Sequence, residues 1–221
     1  MASDPKQPPI ERMANVIAHE IRNPLAVINN SVYFVKTKLG DTSDAKVAKH
    51  LRIVEEEVKR ANEMIGQMLA YARPLEVNAQ PVSARELADA VVAAKKAPAK
   101  VKVAVDGPAK DAKVRADREL AQGALGRLLD NAFDALGEAG GSVGVKISAA
   151  SGSVDFVVKD SGPGLTVEAK GRLFEPFFST RPRGMGLGLA TARKFVERHG
   201  GSLEHVEGGA GATFRLRLPA V

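Results

Sequence analysis

From Ile10 onward, apolar side chains recur at steps of three and four: Ile10, Met13, Ile17, Ile21, Pro24, Ile28, Val32, Val35 and Leu39. That spacing lays them along one face of an α-helix. Gly40-Asp41-Thr42-Ser43-Asp44 then combines a helix stop, a turn and an N-cap. Beyond it Val47, Leu51, Val54, Val58, Ala61, Ile65, Met68 and Ala72 step 4,3,4,3,4,3,4, a sustained heptad seam. Arg73-Pro74 ends this second helix, because the residue before a proline is pushed out of helical geometry. The pattern predicts an antiparallel helical hairpin with an apolar seam on each arm. A lone pair of helices covers only part of such seams, so two copies joined in a four-helix bundle, a homodimer, are expected. Packing of the hairpin onto the rest of its own chain is the competing reading. It fits less well, because the seams run the full helix length.

After Pro81 the period changes. Short β-like runs at Val101–Val105, Val143–Ser148, Val154–Lys159, Gly201–Val206 and Thr213–Leu218 are separated by helical stretches at Ala84–Lys95, Arg118–Leu136 and Leu187–Arg198. This order predicts an α+β sandwich, a mixed sheet with helices on one face. The chain therefore divides into a proline-bearing flexible leader (residues 1–9), a helical hairpin (10–74) and an α/β sandwich domain (75–221).

Composition narrows the chemistry. The 221 residues contain no cysteine, which excludes disulfides, thiolate metal sites and thiol nucleophiles. No stretch of eighteen apolar residues occurs, and MASDPKQPPI lacks the apolar core of a signal peptide. The expectation is a cytoplasmic chain without a membrane segment, either whole or the cytoplasmic portion of a longer, membrane-associated protein. A net charge of +6, no tryptophan and ten aromatic residues in all make a poor base-stacking surface. Lysines 95, 96, 100, 102, 110 and 113 are interrupted by Asp106 and Asp111, which reads as a solvated face and not a nucleic-acid patch. Glycine is the informative residue: eleven of 21 lie between Gly162 and Gly211, and three of eight phenylalanines fall at 174, 177 and 178.

His19 sits two residues from both Ile17 and Ile21, so at 100° per residue it points about 200° away from either, off the seam and into solvent. Asn15 and Asn23, four residues to each side, share its face. Pro24 removes the hydrogen bond to the carbonyl of Glu20, at a cost of about 3 kcal/mol, and predicts a kink. A lone exposed histidine ordinarily has no role. Here the string is His19-Glu20-Ile21-Arg22-Asn23-Pro24-Leu25, which resembles the phosphoacceptor box of sensor histidine kinases, on the first hairpin helix where that family carries it. A neutral imidazole is a good nucleophile near pH 7, and a carboxylate that accepts the proton of its other nitrogen supports the attack. The resemblance gives Glu20 that role and gives Asn23 the positioning of water in the reverse reaction, hydrolysis of a phosphorylated partner.

Five further pieces follow. Leu128-Leu129-Asp130-Asn131-Ala132-Phe133-Asp134-Ala135 resembles the asparagine box of the same kinases and of the gyrase and Hsp90-like ATPases, and the amide oxygen of Asn131 suits Mg²⁺. Where many of these kinases carry an earlier asparagine this chain has Arg127, which either contacts phosphate or lies on the surface. Asp160-Ser161-Gly162-Pro163-Gly164 closes an apolar strand. A carboxylate there can accept from the amino group of adenine while Gly162 and Gly164 let backbone approach the ring. Arg172-Leu173-Phe174-Glu175-Pro176-Phe177-Phe178-Ser179-Thr180-Arg181-Pro182 resembles the phenylalanine box, with Arg181 replacing the commoner lysine, and Leu165 to Arg183 would form a lid over the nucleotide. Gly184-Met185-Gly186-Leu187-Gly188-Leu189 opens a helix whose N-terminus suits phosphate. It matches neither GxGxxG after a strand nor a P-loop. Gly209-Ala210-Gly211-Ala212-Thr213-Phe214 resembles the last glycine patch.

The order of these boxes implies a histidine kinase core. Its ligands would be ATP and Mg²⁺, with Asn131, Asp160, Gly162, Gly164, Thr180, Arg181, Gly184, Gly186, Leu187, Gly188 and Thr213 at the nucleotide. Its partners would be a second copy and the receiver domain of a response regulator, whose aspartate takes the phosphoryl group from His19. A gyrase- or Hsp90-like ATPase would share the pocket without the hairpin. A degenerate kinase serving as a dimeric scaffold would lack the chemical residues, which are present. The remaining histidines read as structural: His50 lies off the seam, His205 sits in a strand, and His199 is placed at a helix end where positive charge suits the dipole.

Overall fold

The computed structural model describes residues 9–40, 44–107, 112–150, 152–181 and 184–221. Residues 1–8 of the expected leader, 41–43 of the expected turn, 108–111 of the basic region and 182–183 of the expected lid lie outside the described residues, as does the side chain of Asn15. The chain forms two compact units, Met1–Pro74 and Leu75–Val221.

Helix α1 (Pro9–Leu39) and helix α2 (Ala45–Ala72) make the first unit. Gly40 takes a positive φ of 60° and closes α1 by donating its N–H to the Lys36 carbonyl, a conformation open to glycine at little cost. The Asp44 carboxylate caps α2 by accepting from the N–H groups of Lys46 and Val47. Helix α1 runs on through Pro24. Within this pair each seam splits into two rows. Ala14, Ala18 and Val32 on α1, with Val58 and Ile65 on α2, are buried. Ile17, Ile21, Ile28, Val35 and Leu39 stay 40–48% exposed, and Val47 and Val54 36–37%. The buried face of α1 thus runs through two alanines outside the expected seam, and the larger aliphatic residues stand open. Small residues let the helices approach closely and leave the bulky row uncovered.

The second unit begins with β1 (Gln80–Ser83), α3 (Ala84–Ala94), β2 (Val101–Asp106) and β3 (Lys113–Ala116). It continues with α4 (Arg118–Leu136), β4 (Gly141–Ala150), β5 (Ser153–Asp160), α5 (Val167–Arg172), α6 (Gly188–Arg198), β6 (Ser202–His205) and β7 (Thr213–Pro219). Five strands form a sheet in the order β2-β4-β5-β7-β6. The β2–β4 pair is parallel and the others antiparallel. Alternation along each strand sends Val143, Val145, Phe156, Val158, Phe214 and Leu216 to one face, where they pack with Leu87, Leu125, Leu128, Leu129 and Phe195 of the helices. Each such side chain contributes about 1.5–3 kcal/mol through burial. The opposite face is polar: Asp155 accepts from Arg217 at 2.7 and 2.8 Å, and Arg215 lies 3.6 Å away. This is the expected sandwich.

Two features escaped the sequence reading. A two-stranded ribbon pairs β1 with β3 and buries Val114 and Ala116; four-residue strands are too short to show a period. The lid segment contains α5, capped by Thr166 Oγ1, which accepts from the Ala169 N–H at 3.2 Å.

Candidate functional site

On α1, His19 and Glu20 side chains are 74% and 72% exposed, as the spacing from Ile17 and Ile21 requires. Nδ1 of His19 lies 3.8 Å from Glu20 Oε1 and 3.4 Å from the side-chain nitrogen of Asn23. Both neighbours therefore address the same ring nitrogen. When the Asn23 NH₂ donates to Nδ1, the ring proton sits on Nε2. When the Glu20 carboxylate or the Asn23 amide oxygen accepts from Nδ1–H, Nε2 carries the free lone pair. Glu20 and Asn23 thus sit where they can select the nucleophilic tautomer.

In the second unit, Asp160 ends β5 and is only 3% exposed. Its Oδ1 accepts from the Gly162 N–H at 2.8 Å and the Ala212 N–H at 3.1 Å, and neither of these bonds uses Oδ2. Its own N–H donates to the Ala212 carbonyl at 3.0 Å. The two glycine loops are stitched back to back here. A Cβ at Gly211 (φ 80°) would stand 1.9 Å from the Asp160 carbonyl oxygen, and one at Gly164 (φ 77°) 3.2 Å from that of Gly211. These glycines serve contacts of the chain with itself. Gly186 is similar: it takes φ 72°, and a Cβ would come 2.4 Å from the Phe178 carbonyl. At Gly188, the first residue of α6, a Cβ would meet nothing within 4 Å. Of the glycines expected to receive a nucleotide, Gly188 leaves open space. Leu187, also expected at the nucleotide, precedes it and is fully buried, so it presents no surface to a ligand. The N-terminus of α6 has no side-chain cap, which leaves its orphan N–H groups for an anion. Thr213 opens β7 and is buried, whereas Thr180 and Gly184 are exposed.

The segment expected to be a lid is anchored by buried Ala169 and Leu173, and one of its side chains reaches α4. The Arg181 guanidinium donates to the amide oxygen of Asn131 and to the carboxylate of Asp134, and reaches the Asn131 carbonyl at 3.4 Å. Arg181 was expected to grip phosphate; here its donors are spent on α4. The Asn131 oxygen therefore already accepts from a cation, so its chemistry and placement fit a hard metal ion. No cluster of three or more His, Cys, Asp or Glu able to hold a metal occurs among the described residues. A single amide oxygen with substrate phosphates and waters is a sufficient set for Mg²⁺. The phenylalanines divide. Phe174 packs against the core, Phe178 lies 4.2 Å under the Arg172 guanidinium, and Phe177 is 64% exposed with a positive φ of 66°.

His199 differs from expectation. Its Nε2 accepts from the Asp117 N–H at 2.9 Å, and Nδ1 lies 2.6 Å from the Phe195 carbonyl. A nitrogen that accepts carries no proton, so the ring is neutral with Nδ1–H donating. It clips the end of α6 to the start of α4, and meets a last-turn carbonyl of α6 as a neutral donor, not as the expected positive charge.

Residues 116–221 match the family described as histidine kinase-, DNA gyrase B- and HSP90-like ATPase, and residues 10–76 match the His Kinase A phospho-acceptor domain. The chain is 33% identical over 214 residues to the signal transduction histidine-protein kinase AtoS of Escherichia coli K12, covering 95% of this chain and 34% of that protein. It is 28% identical to the sensory histidine kinase/phosphatase NtrB of Rhizobium meliloti, covering 94% of this chain and 58% of NtrB. The chain thus spans between a third and three fifths of the length of these relatives. Among solved structures, the catalytic domain of histidine kinase ThkA is 30% identical with TM-score 0.59, covering 66% of this chain and 96% of that one. ThkA in complex with the response regulator TrrA is 28% identical with TM-score 0.69, covering 95% of this chain and 61% of that one. Full-length ShkA in complex with AMPPNP shares the fold with TM-score 0.78 at 24% identity, covering 95% of this chain and 46% of that one.

Proposed function

This chain belongs to the histidine kinases, and from that premise we propose that it is the ATP-dependent kinase core of a two-component system. The observation that carries the reading is the site at His19. An exposed imidazole has one nitrogen addressed by Glu20 and Asn23, and Nε2 is left without a protein partner among the described residues. In the Nδ1–H tautomer, Nε2 attacks the terminal phosphorus of ATP. The N–P bond forms as the bond to the bridging oxygen of ADP breaks, and Glu20 takes the Nδ1 proton. Positioning and charge neutralisation supply most of the acceleration. Asp160 Oδ2 accepts from the amino group of adenine. The open N-terminus of α6 at Gly188 receives phosphate, and Arg181 exchanges Asn131 and Asp134 for the nucleotide. Asn131 would hold Mg²⁺, which would supply charge neutralisation at the phosphates.

The phosphoryl group then passes from His19 to an aspartate of a receiver domain, with Asn23 placing water for the reverse hydrolysis. The active form is a homodimer, because Ile17, Ile21, Ile28 and Val35 are left open along α1 and a second copy covers them. No helix among the described residues is long and apolar enough to cross a membrane. A cytoplasmic location is proposed from the reaction, which uses ATP and a receiver protein.

The test is incubation with γ-labelled ATP and Mg²⁺. Label on wild-type chain should be acid-labile and base-stable, and absent from His19→Ala and from Asn131→Ala. Acid-labile label that persists in His19→Ala refutes the phosphoacceptor. Unchanged labelling of Asn131→Ala removes its metal role. For the reverse activity, Asn23→Ala should slow dephosphorylation of a phosphorylated receiver, and an unchanged rate rejects it.

A further inference from the structure

Arg127 lies in the middle of α4, one turn before Asn131, and the sequence left it between a phosphate contact and a surface residue. Its Nε is buried and has no hydrogen-bond partner, unlike every other buried side-chain nitrogen or oxygen among the described residues. A buried donor left unpaired is costly and calls for an explanation. The guanidinium lies 5.8 Å from the Phe195 ring centroid on α6, so its stem and plane are held in place. Burial pulls its pKa below the ordinary arginine value, and Asp130 partly offsets this. That carboxylate is already bridged by Lys95 at 2.5 Å. Arg127 is thus a half-buried cation with an idle donor and no counter-ion of its own.

Its place along α4 identifies the anion. Ala135 borders the adenine end: a Cβ at Gly162, beside Asp160, would come 3.5 Å from the Ala135 carbonyl and 3.6 Å from its Cβ. Asn131 lies one turn back from Ala135 and Arg127 a second turn back. At 1.5 Å per residue the two turns span about 12 Å, the distance over which an extended nucleoside triphosphate runs from its base to its last phosphate. Helix α6 runs antiparallel beside it. Phe195 stands 3.1 Å from where a Cβ of Gly123 would be, while Gly184, just ahead of α6, sits against Arg181, whose guanidinium holds Asn131. The open N-terminus of α6 is therefore level with Asn131, and Arg127 lies beyond it on the side away from the base.

We propose that Arg127 binds the terminal phosphate of ATP, so that this chain separates ATP from ADP through an arginine on α4. The proposal rests on the nucleotide reading of the pocket. The test measures binding of ADP and of a β,γ-imido ATP analogue, with Mg²⁺, to the full chain and to Arg127→Met, whose unbranched side chain keeps packing on Phe195. Loss of one charge-assisted contact should weaken the analogue about tenfold or more and change ADP less than twofold. Arg127→Lys, which keeps the charge without the fork, should fall between the two. Equal weakening of both nucleotides, or of neither, overturns the proposal. A wild-type chain that binds both sends that failure to Arg127 alone; one that binds neither refutes the nucleotide reading and this inference with it. Because Arg127→Met removes an unpaired buried donor, its melting temperature should not fall, which separates lost ligation from lost folding.

Discussion

The proposed function gives Asp160 two jobs with two oxygens, and two substitutions separate them. Oδ1 accepts from the backbone N–H groups of Gly162 and Ala212 at 2.8 and 3.1 Å, inside a side chain only 3% exposed. Asp160→Ala strips both donors of their acceptor. An unsatisfied buried N–H costs about 1–3 kcal/mol, so the pair should cost the second unit about 2–6 kcal/mol, or roughly 4–24 °C in melting temperature for a unit of this size. Asp160→Asn keeps an oxygen for the two N–H groups and places an NH₂ where Oδ2 stood. Stability should then change by about 1 kcal/mol or less, while the amino group of adenine meets a donor in place of an acceptor. A lost charge-assisted hydrogen bond of about 1.5–3 kcal/mol lowers ATP affinity about 10- to 150-fold. GTP, which presents a carbonyl oxygen at the same position of its base, should gain relative to ATP in Asp160→Asn. The assay is thermal melting of the full chain followed in the second unit, alongside calorimetric titration with each nucleotide. An Asp160→Asn chain with wild-type ATP affinity, or an Asp160→Ala chain of wild-type stability, refutes the division of labour.

Two glycines predict opposite outcomes. Gly211→Ala forces a Cβ to within 1.9 Å of the Asp160 carbonyl at positive φ and should lower the melting temperature of the second unit by 10 °C or more. Gly188→Ala meets no protein atom within 4 Å and should leave melting within about 2 °C while weakening ATP if phosphate approaches there. In the hairpin, Ile21→Glu combined with Ile28→Glu changes residues that are 41% and 43% exposed in one copy. Light scattering should then find a monomer whose helical circular dichroism per residue falls only at its ends; a dimer that persists would place the contact elsewhere. His199→Leu removes the acceptor of the Asp117 N–H and the donor to the Phe195 carbonyl, and should destabilise the second unit by about 1–3 kcal/mol in denaturant titration. No loss would mean that water serves both groups equally well.

What could be read from the sequence follows the range of the forces involved. The helices and long strands were legible because burial imposes a period: Val47 to Ala72 alternates by four and three, and Arg118–Leu136 forms a helix over the expected span. The ribbon of β1 and β3 was not, since pairing of Val82 with Val114 joins residues on either side of α3 with no local signal. Periodicity also merged two rows that packing separates. Ile17, Ile21 and Ile28 belong to the apolar face of α1, yet the residues turned inward are Ala14, Ala18 and Val32; side-chain size, which hydropathy ignores, decides which row meets its own partner helix. At the nucleotide pocket, glycine crowding was visible but its cause was not. Gly211 and Gly164 answer to backbone atoms of Asp160 and of each other, contacts between loops nearly fifty residues apart in sequence.

Arg181 shows the same limit for charge. Its positive charge and lid position could be read, but its partners on α4 could not. Once seen, they change the reading of the lid: a guanidinium on Asn131 and Asp134 occupies the acceptor that the proposed metal ion would need. Under that proposal, metal with nucleotide and Arg181 would compete for one amide oxygen. Removing the competitor while keeping the oxygen should show this. Arg181→Ala frees Asn131 but also loses a donor to phosphate, so Asp134→Asn is the cleaner change: it weakens the hold on Arg181 and leaves Asn131 intact. The Arg181–Asp134 pair is 39% and 56% exposed, which limits its strength to about 0.2–1 kcal/mol. Its loss should tighten Mg·ATP by no more than about fivefold. The gain should disappear in the double variant Asp134→Asn with Arg181→Ala, where no latch is left to release. Equal tightening in both backgrounds would show that Asp134 acts on the nucleotide by its own negative charge and that the contact with Arg181 does not restrain the lid.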